Sequence, residues 1–452
     1  MNLNYIDLFS GAGGMSIGIK SAGGNLIFSN EIDKDAVKTQ KINLQKLGEN
    51  PAKVIQCSIE ELHKEVVGKE IEFEYQSEKV HYHKSYEKLY KNESNLNDEI
   101  LDQLRCINDV DLIVGGPPCQ GFSNAGRGGK SSSQQLFQTY IDDPRNQLFK
   151  YFLDFVEYYS PKAVIIENVK GLSTSKNYRQ LIQASLENTC KGYHVISTIL
   201  NAENYGVPQS RERIFFIGIR KDLKDSELFS FYLPTLLIKS HERKKLTLKE
   251  GIYDLPNILS NPKPSNLKPE NEIPIGDKGS FGENVSKLPY EKLVTKKNEY
   301  VDRINSFRGQ IIQPKKLYNH KARYNNDLDL KIYSLLEPGV SLSDIRNREA
   351  NELNKYSTKS FGDKYYKLNP DKPSRTIVAH LQMDNNGYVH YGEIPRGITP
   401  REAARIQSFP DWYEFKGAFT KQFKQIGNAV PPLLAKELYL IIKEYLVNGI
   451  KA

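Results

Sequence analysis

The chain has 452 residues, 38% of them hydrophobic and 26% charged, which describes a soluble globular protein with room for one large core and a smaller second one. No window approaches the ~18 consecutive apolar residues of a spanning helix, and the opening MNLNYIDLF lacks the basic start and cleavage site of a signal peptide. The net charge of +8 is compatible with a nucleic-acid partner but does not require one.

Residues 3–9, LNYIDLF, predict a short buried strand. Gly11, Gly13 and Gly14 follow it and open a helical stretch, MSIGIKSAG. A second strand at 25–30 ends at Glu31 and Asp33, a helix covers about 34–47, and VIQCSI (54–59) is a third strand. Residues 69–108 read as an insertion, with EIEFEY and KVHYH alternating like strands and DEILDQL like a helix. VHYHKSYEKLYK interleaves basic and aromatic residues, a pattern that fits a solvated hairpin face better than a nucleic-acid contact. DLIVGG (111–116) and AVIIENV (163–169) are strands either side of an aromatic-rich helix at 146–159, and HVISTILNA (194–202) and RIFFIGIR (213–220) complete the set. This alternation predicts an open α/β sheet. From about 222 to about 395 prolines and lysines are frequent and helical periodicity is weak, which predicts a smaller domain of loops and short strands. Regularity returns at TPREAARIQSFPDWY (399–413) and runs to the terminal helix LLAKELYLIIKEYLV.

Three stretches carry chemistry. In YIDLFSGAGGMSIG (5–18) glycines sit between a strand and a helix, so a ligand can approach the main chain and the helix amides. Glu31 lies 20 residues after Gly11 at the tip of the next strand, where a carboxylate can accept hydrogen bonds from ribose hydroxyls. The pattern reads as a site for an adenosine-containing cofactor; GAGG in place of GxGxxG leans away from a dinucleotide. In DLIVGGPPCQGFS (111–123) two glycines turn the chain and two prolines fix φ, so Cys119 is presented with little freedom. That suits a nucleophile better than a packing thiol. The glycine- and serine-rich loop after it, at 120–142, carries Arg127 and Lys130 and reads as a phosphate-friendly lid. Glu167 in IIENVKG ends the next apolar strand, where burial would raise a carboxyl pKa toward that of an acid able to engage a ring nitrogen. Arg211 and Arg213 in QSRER, at i and i+2 of an extended chain, point the same way, as donors to a carbonyl or phosphate or as a salt-bridge ladder with Glu212. None of the four cysteines forms a CxxC pair and the eight histidines show no HExxH spacing, so no metal site is expected, and free thiols fit a reducing cytoplasm.

DLFSGAGG (7–14), NEID (30–33), GGPPCQGFS (115–123), ENVKG (167–171), QSRER (209–213), TPREAARIQSFPDWY (399–413) and QIGNAVPPLLA (425–435), taken in this order, resemble the DNA (cytosine-5) methyltransferases of bacterial restriction–modification systems. The resemblance implies a Rossmann-like S-adenosylmethionine-dependent methyltransferase sheet with a second, smaller, mostly irregular or β target recognition domain. It implies a catalytic, cofactor-binding domain over 1–222, a target recognition domain over 223–395, and a return to the catalytic domain over 396–452. It also implies that the cytosine is flipped out of double-stranded DNA, that Cys119 attacks C6, that Glu167 engages N3, and that Arg213 with Arg211 nearby contacts O2. The cofactor pocket would be lined by Phe9, Gly11, Gly13, Glu31 and Pro117 and closed by Asn428 and Val430. Loops of the recognition domain would enter the major groove, with lysines and arginines mostly on phosphates. Two positions depart from the family pattern. Ser58 stands where relatives carry an aspartate for the adenine amino group, and Ile32 where they often carry an aromatic over the adenine. The expected chain is a cytoplasmic monomer acting beside a separate restriction endonuclease. A tRNA cytosine-5 methyltransferase and a catalytically silent DNA reader on the same fold are the alternatives.

Overall fold

The computed structural model describes residues 2–68, 94–118, 148–174, 176–189, 191–239, 244–260, 288–349 and 365–449. The expected strands EIEFEY and KVHYH and the loop 120–142 lie outside these residues. The chain divides into two compact units, the first built from residues 1–201, 212–242 and 434–452, the second from 202–211 and 243–433. The segment 396–433 thus sits in the second unit, and 434–452 in the first.

The first unit is a seven-stranded sheet. Its strands are β1 (Asn4–Leu8), β2 (Asn25–Glu31), β3 (Val54–Gln56), β4 (Leu112–Gly115), β5 (Ala163–Val169), β6 (Tyr193–Asn201) and β7 (Glu212–Arg220), in the order β3-β2-β1-β4-β5-β7-β6. β7 alone runs antiparallel, to both its neighbours. It follows β6 with only a 3-10 turn, Ala202–Tyr205, between them, so here the strand–helix alternation expected from the sequence breaks. The described helices of this unit include α1 (Gly14–Ser21), α2 (Lys34–Lys46), α3 (Ile59–Val66), α4 (Asp98–Arg105), α5 (Leu148–Tyr159), α6 (Lys176–Asn188) and α7 (Ser226–Lys239). β4 is buried throughout and β5 nearly so, as strands covered on both faces must be. Ile6, Leu8, Ile113, Val164, Ile166, Ile214 and Phe216 pack with Phe152, Phe155 and Val156 of α5 in one core.

From β1 the chain builds outward to β2 and β3, then restarts on the other side at β4. β1 and β4 are therefore the switch point, beyond whose carboxyl ends open α/β sheets bind ligands. Leu8 pairs with Gly115 there. A Cβ at Gly115 would collide with the Leu8 carbonyl and the Phe152 ring, so the strand can carry only glycine at that point. The helix α7 falls where the sequence predicts loops. Apolar side chains surround it on all sides and Pro234 lies inside it, so it shows no helical stripe.

Among the described residues the second unit has little regular structure. Its described elements include α8 (Leu248–Ile252), α9 (Glu299–Asn305), the hairpin β8 (Ser306–Phe307) and β9 (Gln310–Ile311), α10 (Asp327–Leu335), α11 (Pro400–Ile406) and α12 (Phe419–Asn428); α13 (Pro432–Asn448) then leads back into the first unit. Capping boxes start α8 (Thr247 with Glu250) and α11 (Thr399 with Glu402). A small apolar cluster of Ile332, Tyr333, Leu336, Leu342, Tyr365 and Val389 supports α10. Around α11 the interior is ionic. Arg405, fully buried, grips Asp411 through two nitrogens at 2.9 and 2.6 Å and Asp254 at 2.7 Å, and Arg396 pairs with Glu402 at 2.8 and 2.7 Å. Among the described residues no helix is long and apolar enough to cross a membrane.

Candidate active site

The loop after β1 is held from below and open above. Phe9 (φ 56°), Gly11 (φ 55°) and Gly13 (φ 74°) all take the left-handed conformation, strained for phenylalanine and easy for glycine. Ser10 binds Asn30 through its amide and hydroxyl, and Gln40 of α2 donates to the Ser10 hydroxyl and the Gly11 carbonyl, both at 2.7 Å. The Gln40 oxygen accepts from Ser29 at 2.9 Å. Among the described residues, nothing lies within 4 Å of where a Gly11 Cβ would point, and α1 starts at Gly13 with no side-chain cap. The main chain there is presented to a ligand rather than covered.

Glu31 ends β2. One of its carboxylate oxygens accepts from the amides of Ile32 (2.9 Å) and Asp33 (2.8 Å), the other from Gly11 at 2.7 Å. Glu31 thus braces the glycine loop, and the oxygen with a single bond keeps a lone pair for a further donor. Burial raises its pKa above the usual carboxylate value, against these three amides. Asp7 of β1, which the sequence reading passed over, is deeper still. It accepts from the Ser16 hydroxyl at 2.6 Å, and burial, with the Glu31 charge adding to it, pushes its pKa up to about 7. Ile32 is half-buried beside Glu31. Ser58, expected near the adenine, is the N-cap of α3 and accepts from the Glu61 amide at 3.1 Å. A serine followed three residues later by glutamate is a capping signal that the sequence carries openly.

The second half of the site lies beyond β4 and β5. Glu167 is largely buried near the carboxyl end of β5, and Arg213, at the start of the antiparallel β7, reaches it with Nε at 3.1 Å from Oε1. The antiparallel turn of β7 brings its first residues to the same end of the sheet; Val169 stands opposite Arg213. Burial lowers the Arg213 pKa, and the Glu167 charge partly restores it. A Cβ on Gly116 would lie 3.3 Å from the other Glu167 oxygen, so the glycine leaves that carboxylate room. Asn168, buried, donates to the Pro117 carbonyl at 3.0 Å and so ties down the chain two residues before Cys119. Cys119 itself lies outside the described residues.

Arg211 and Arg213 do not share a target. Arg211 is buried in the second unit, where it donates to the carbonyls of Ile377 (2.7 Å) and Gly427 (3.0 Å). Glu212, the expected partner in a ladder, pairs with Lys170 at 2.7 Å, and its carbonyl accepts from Arg213 at 2.8 Å. β7 begins only at Glu212, so the two arginines are not successive positions on one strand face. Asn428 is exposed at the last position of α12, and Val430 is buried just after it. Among the described residues no cluster of three metal-ligating side chains occurs.

A family model described as C-5 cytosine-specific DNA methylase matches residues 3–73 and 55–444. The chain belongs to that family. Type II methyltransferase M.DdeI of Desulfomicrobium norvegicum is 32% identical over 468 residues, covering 99% of this chain and 90% of its own. Type II methyltransferase M.AgeI of Thalassovita gelatinovora is 30% identical over 491 residues, covering 98% and 99%. A crystal structure described as a DNA modification methyltransferase encoded within an E. coli prophage aligns with a TM-score of 0.58 at 26% identity, covering 98% of this chain and 99% of the other. The methylase is thus a DNA (cytosine-5) methyltransferase of the restriction–modification type.

Proposed function

We propose that the methylase modifies C5 of a cytosine flipped out of double-stranded DNA, at targets selected by its second unit, by way of a covalent bond between Cys119 and C6. The observation that carries this reading is the Glu167–Arg213 pair beside Gly116 and Pro117, two residues from the thiol. A stacked cytosine hides C6, so the base must leave the helix. The Cys119 thiolate then adds to C6. Glu167 hydrogen-bonds or protonates N3, so the electron pair released into the ring is stabilised and C5 becomes nucleophilic. Arg213 holds the Glu167 carboxyl in place and offers further N–H groups to O2. After methyl transfer, loss of the C5 proton expels Cys119 as the thiolate and restores the aromatic ring.

The residues at the β1 and β2 ends fit S-adenosylmethionine. The uncapped α1 amides suit its methionine carboxylate, the open Gly11 leaves space for its body, and Glu31 keeps a lone pair for ribose. When bound it supplies an electrophilic methyl on a sulfonium. Phe9, Gly13, Ile32, Ser58 and Pro117 complete our assignment on this side, and the family resemblance adds Asn428 and Val430. We also propose that the enzyme acts as a monomer and that a separate endonuclease shares its target, as the type II class of its relatives suggests.

Bisulfite sequencing of plasmid DNA tests the reading, using cells without cytosine methylation of their own that express the chain. Protected cytosines within one short motif are expected. Cys119→Ala should abolish protection while the protein still retards duplex DNA, and Glu167→Gln should lower the single-turnover rate by roughly 10²–10³-fold. Full protection with Cys119→Ala would overturn the covalent mechanism.

A further inference from the structure

The first half of the QSRER motif takes no part in the Glu167 pair. Gln209 and Arg211 close instead on one residue of the second unit, Ile377. The Gln209 side-chain oxygen accepts from the Ile377 amide at 2.7 Å, and Arg211 donates to the Ile377 carbonyl at 2.7 Å. Two side chains thus supply what a neighbouring strand would. The main chain runs alongside: Ser210 donates to the Ser374 carbonyl at 2.8 Å, Ser374 to the Pro208 carbonyl at 2.9 Å, and the Thr376 hydroxyl to the Ser210 carbonyl at 2.7 Å. The other end of the clamp grips the carboxyl end of α12. Arg211 donates to Gly427 at 3.0 Å, and Gln407, itself bonded to Gln209, donates to Ile426 at 3.1 Å and Ala429 at 2.7 Å. Gln209, Arg211 and Gln407 are all buried.

What the clamp holds is a short 3-10 turn, Ala379–Gln382, directly after Ile377. Its floor is Gly427, where a Cβ would collide with the Val378 carbonyl and the Ala379 amide. Its far side is fixed by Arg323, which donates to the Gln382 carbonyl at 2.8 Å. A segment tied at both ends and below still exposes large side chains: Val378 is 37% exposed, Met383 is 65% exposed, and His380 faces solvent as well. Exposed apolar side chains add nothing to the fold in water. Held on a rigid mount, they are preorganised for contact, and the macromolecule this enzyme must contact is DNA.

We propose that Gln209 and Arg211 are positioning residues for target selection, and that they set the turn whose Val378, His380 and Met383 discriminate the cognate DNA site from its neighbours. This rests on the reading of the enzyme as a site-selective DNA methyltransferase. Arg211 acts through the main chain of Ile377 and Gly427 and makes no contact with the flipped base, in contrast to Arg213. A methyl-bearing surface such as Val378 and Met383 favours the thymine methyl in the major groove, and His380 can donate to or accept from a base edge.

The test is deep bisulfite sequencing of plasmids methylated by each variant, read as the ratio of methylation at the preferred motif to that at sites differing by one base pair. The double variant His380→Ala/Met383→Ala changes only surface side chains and is expected to cut that ratio about tenfold, the scale of one lost base discrimination. Arg211→Met is expected to cut it by a similar factor, with Arg211→Lys, which can reach only one carbonyl, in between. The slope of binding against salt should stay as in the wild type for Arg211→Met, because a lost phosphate contact would lower it by about one. A selective wild type with an unaltered ratio in the double variant would overturn the inference while leaving the proposed function standing. So would uniform loss at all sites with Arg211→Met, or a changed salt slope. Should Arg211→Met fail to fold, the double variant decides alone. A wild type that protects no cytosine would overturn both readings.

Discussion

Phe152 and Arg405 occupy equivalent places in their respective units: each is completely buried at the centre of the packing. Around Phe152 the neighbours are Ile6, Ile113, Ile166 and other apolar side chains with no directional demands. Around Arg405 they are two carboxylates, and Tyr290 donates to one of these, Asp411, at 2.5 Å. The first unit is a sheet whose backbone groups satisfy one another, so the apolar core around Phe152 needs only shape. Among its described residues the second has few strands and short helices, and side chains complete the hydrogen bonding of the main chain. Arg211, Arg303, Arg323 and Arg401 all donate to backbone carbonyls. Of these, Arg303 and Arg323 lie in the stretch whose lysines and arginines the resemblance assigns mostly to phosphates; both also bind the main chain. The difference teaches where substitutions will be tolerated: by volume in the sheet, by donor geometry in the loops.

The largest expected effect follows from removing one ionic partner. Arg405→Leu leaves Asp411 and Asp254 buried without their cation and should cost about 3–5 kcal/mol. Trp412 is the only tryptophan of the chain and is buried in the second unit, so its fluorescence in urea reports that unit directly. Phe152→Ala should cost a comparable ~3–5 kcal/mol through the cavity it leaves. The conservative replacements separate the two units. Phe152→Leu keeps most of the apolar volume and should cost under about 2 kcal/mol, whereas Arg405→Lys loses the fork that spans two carboxylates and should cost nearly as much as Arg405→Leu. Equal tolerance of Phe152→Leu and Arg405→Lys would erase the distinction between the two units.

Acid should act on the two units in opposite directions. His320 and His390 in the second unit are held neutral by burial, which lowers their pKa values from 6.5 to about 4 and about 3; Arg396 pushes both the same way. A depressed folded pKa means that the unfolded chain takes up the proton first. Their contribution is complete above pH 6.5 and is lost as the pH falls toward 4 and 3. Glu402, whose pKa lies below the usual value with Arg396 beside it, deepens the loss below about pH 4.5. Asp7 in the first unit is the reverse. Its folded pKa of about 7 lies above the ordinary 3.8, so its contribution is complete below 3.8 and is lost as the pH rises through 7. Hydrogen exchange at pH 7.5, 6 and 4.5 should show protection falling in 320–411 before it falls in β1 and β4. Simultaneous loss in both would refute the contrast.

The smallest effect concerns Ser58. Ser58→Ala removes the α3 cap and should lower stability by about 1 kcal/mol in a urea titration, while Ser58→Asp, an equally good cap, should leave it near the wild type.

By itself the sequence determined the seven strands, the terminal helix and the motif positions. Strands buried on both faces, such as LIVG and AVIIENV, need apolar runs, and their ends need Gly11, Gly115 and Gly116, all of which are local requirements written in local residues. Glu167 was legible for the same reason, as a charge at the end of such a run. The fold alone decided how QSRER is divided, because Arg213 finds Glu167 through an antiparallel pairing while Arg211 finds Ile377 and Gly427, 166 and 216 residues away. The helix α7 and the buried ions around Arg405 were hidden for a related reason. A helix apolar on every side has no periodicity to read, and Arg405 is cheap to bury only because Asp254, 151 residues away, joins the nearby Asp411.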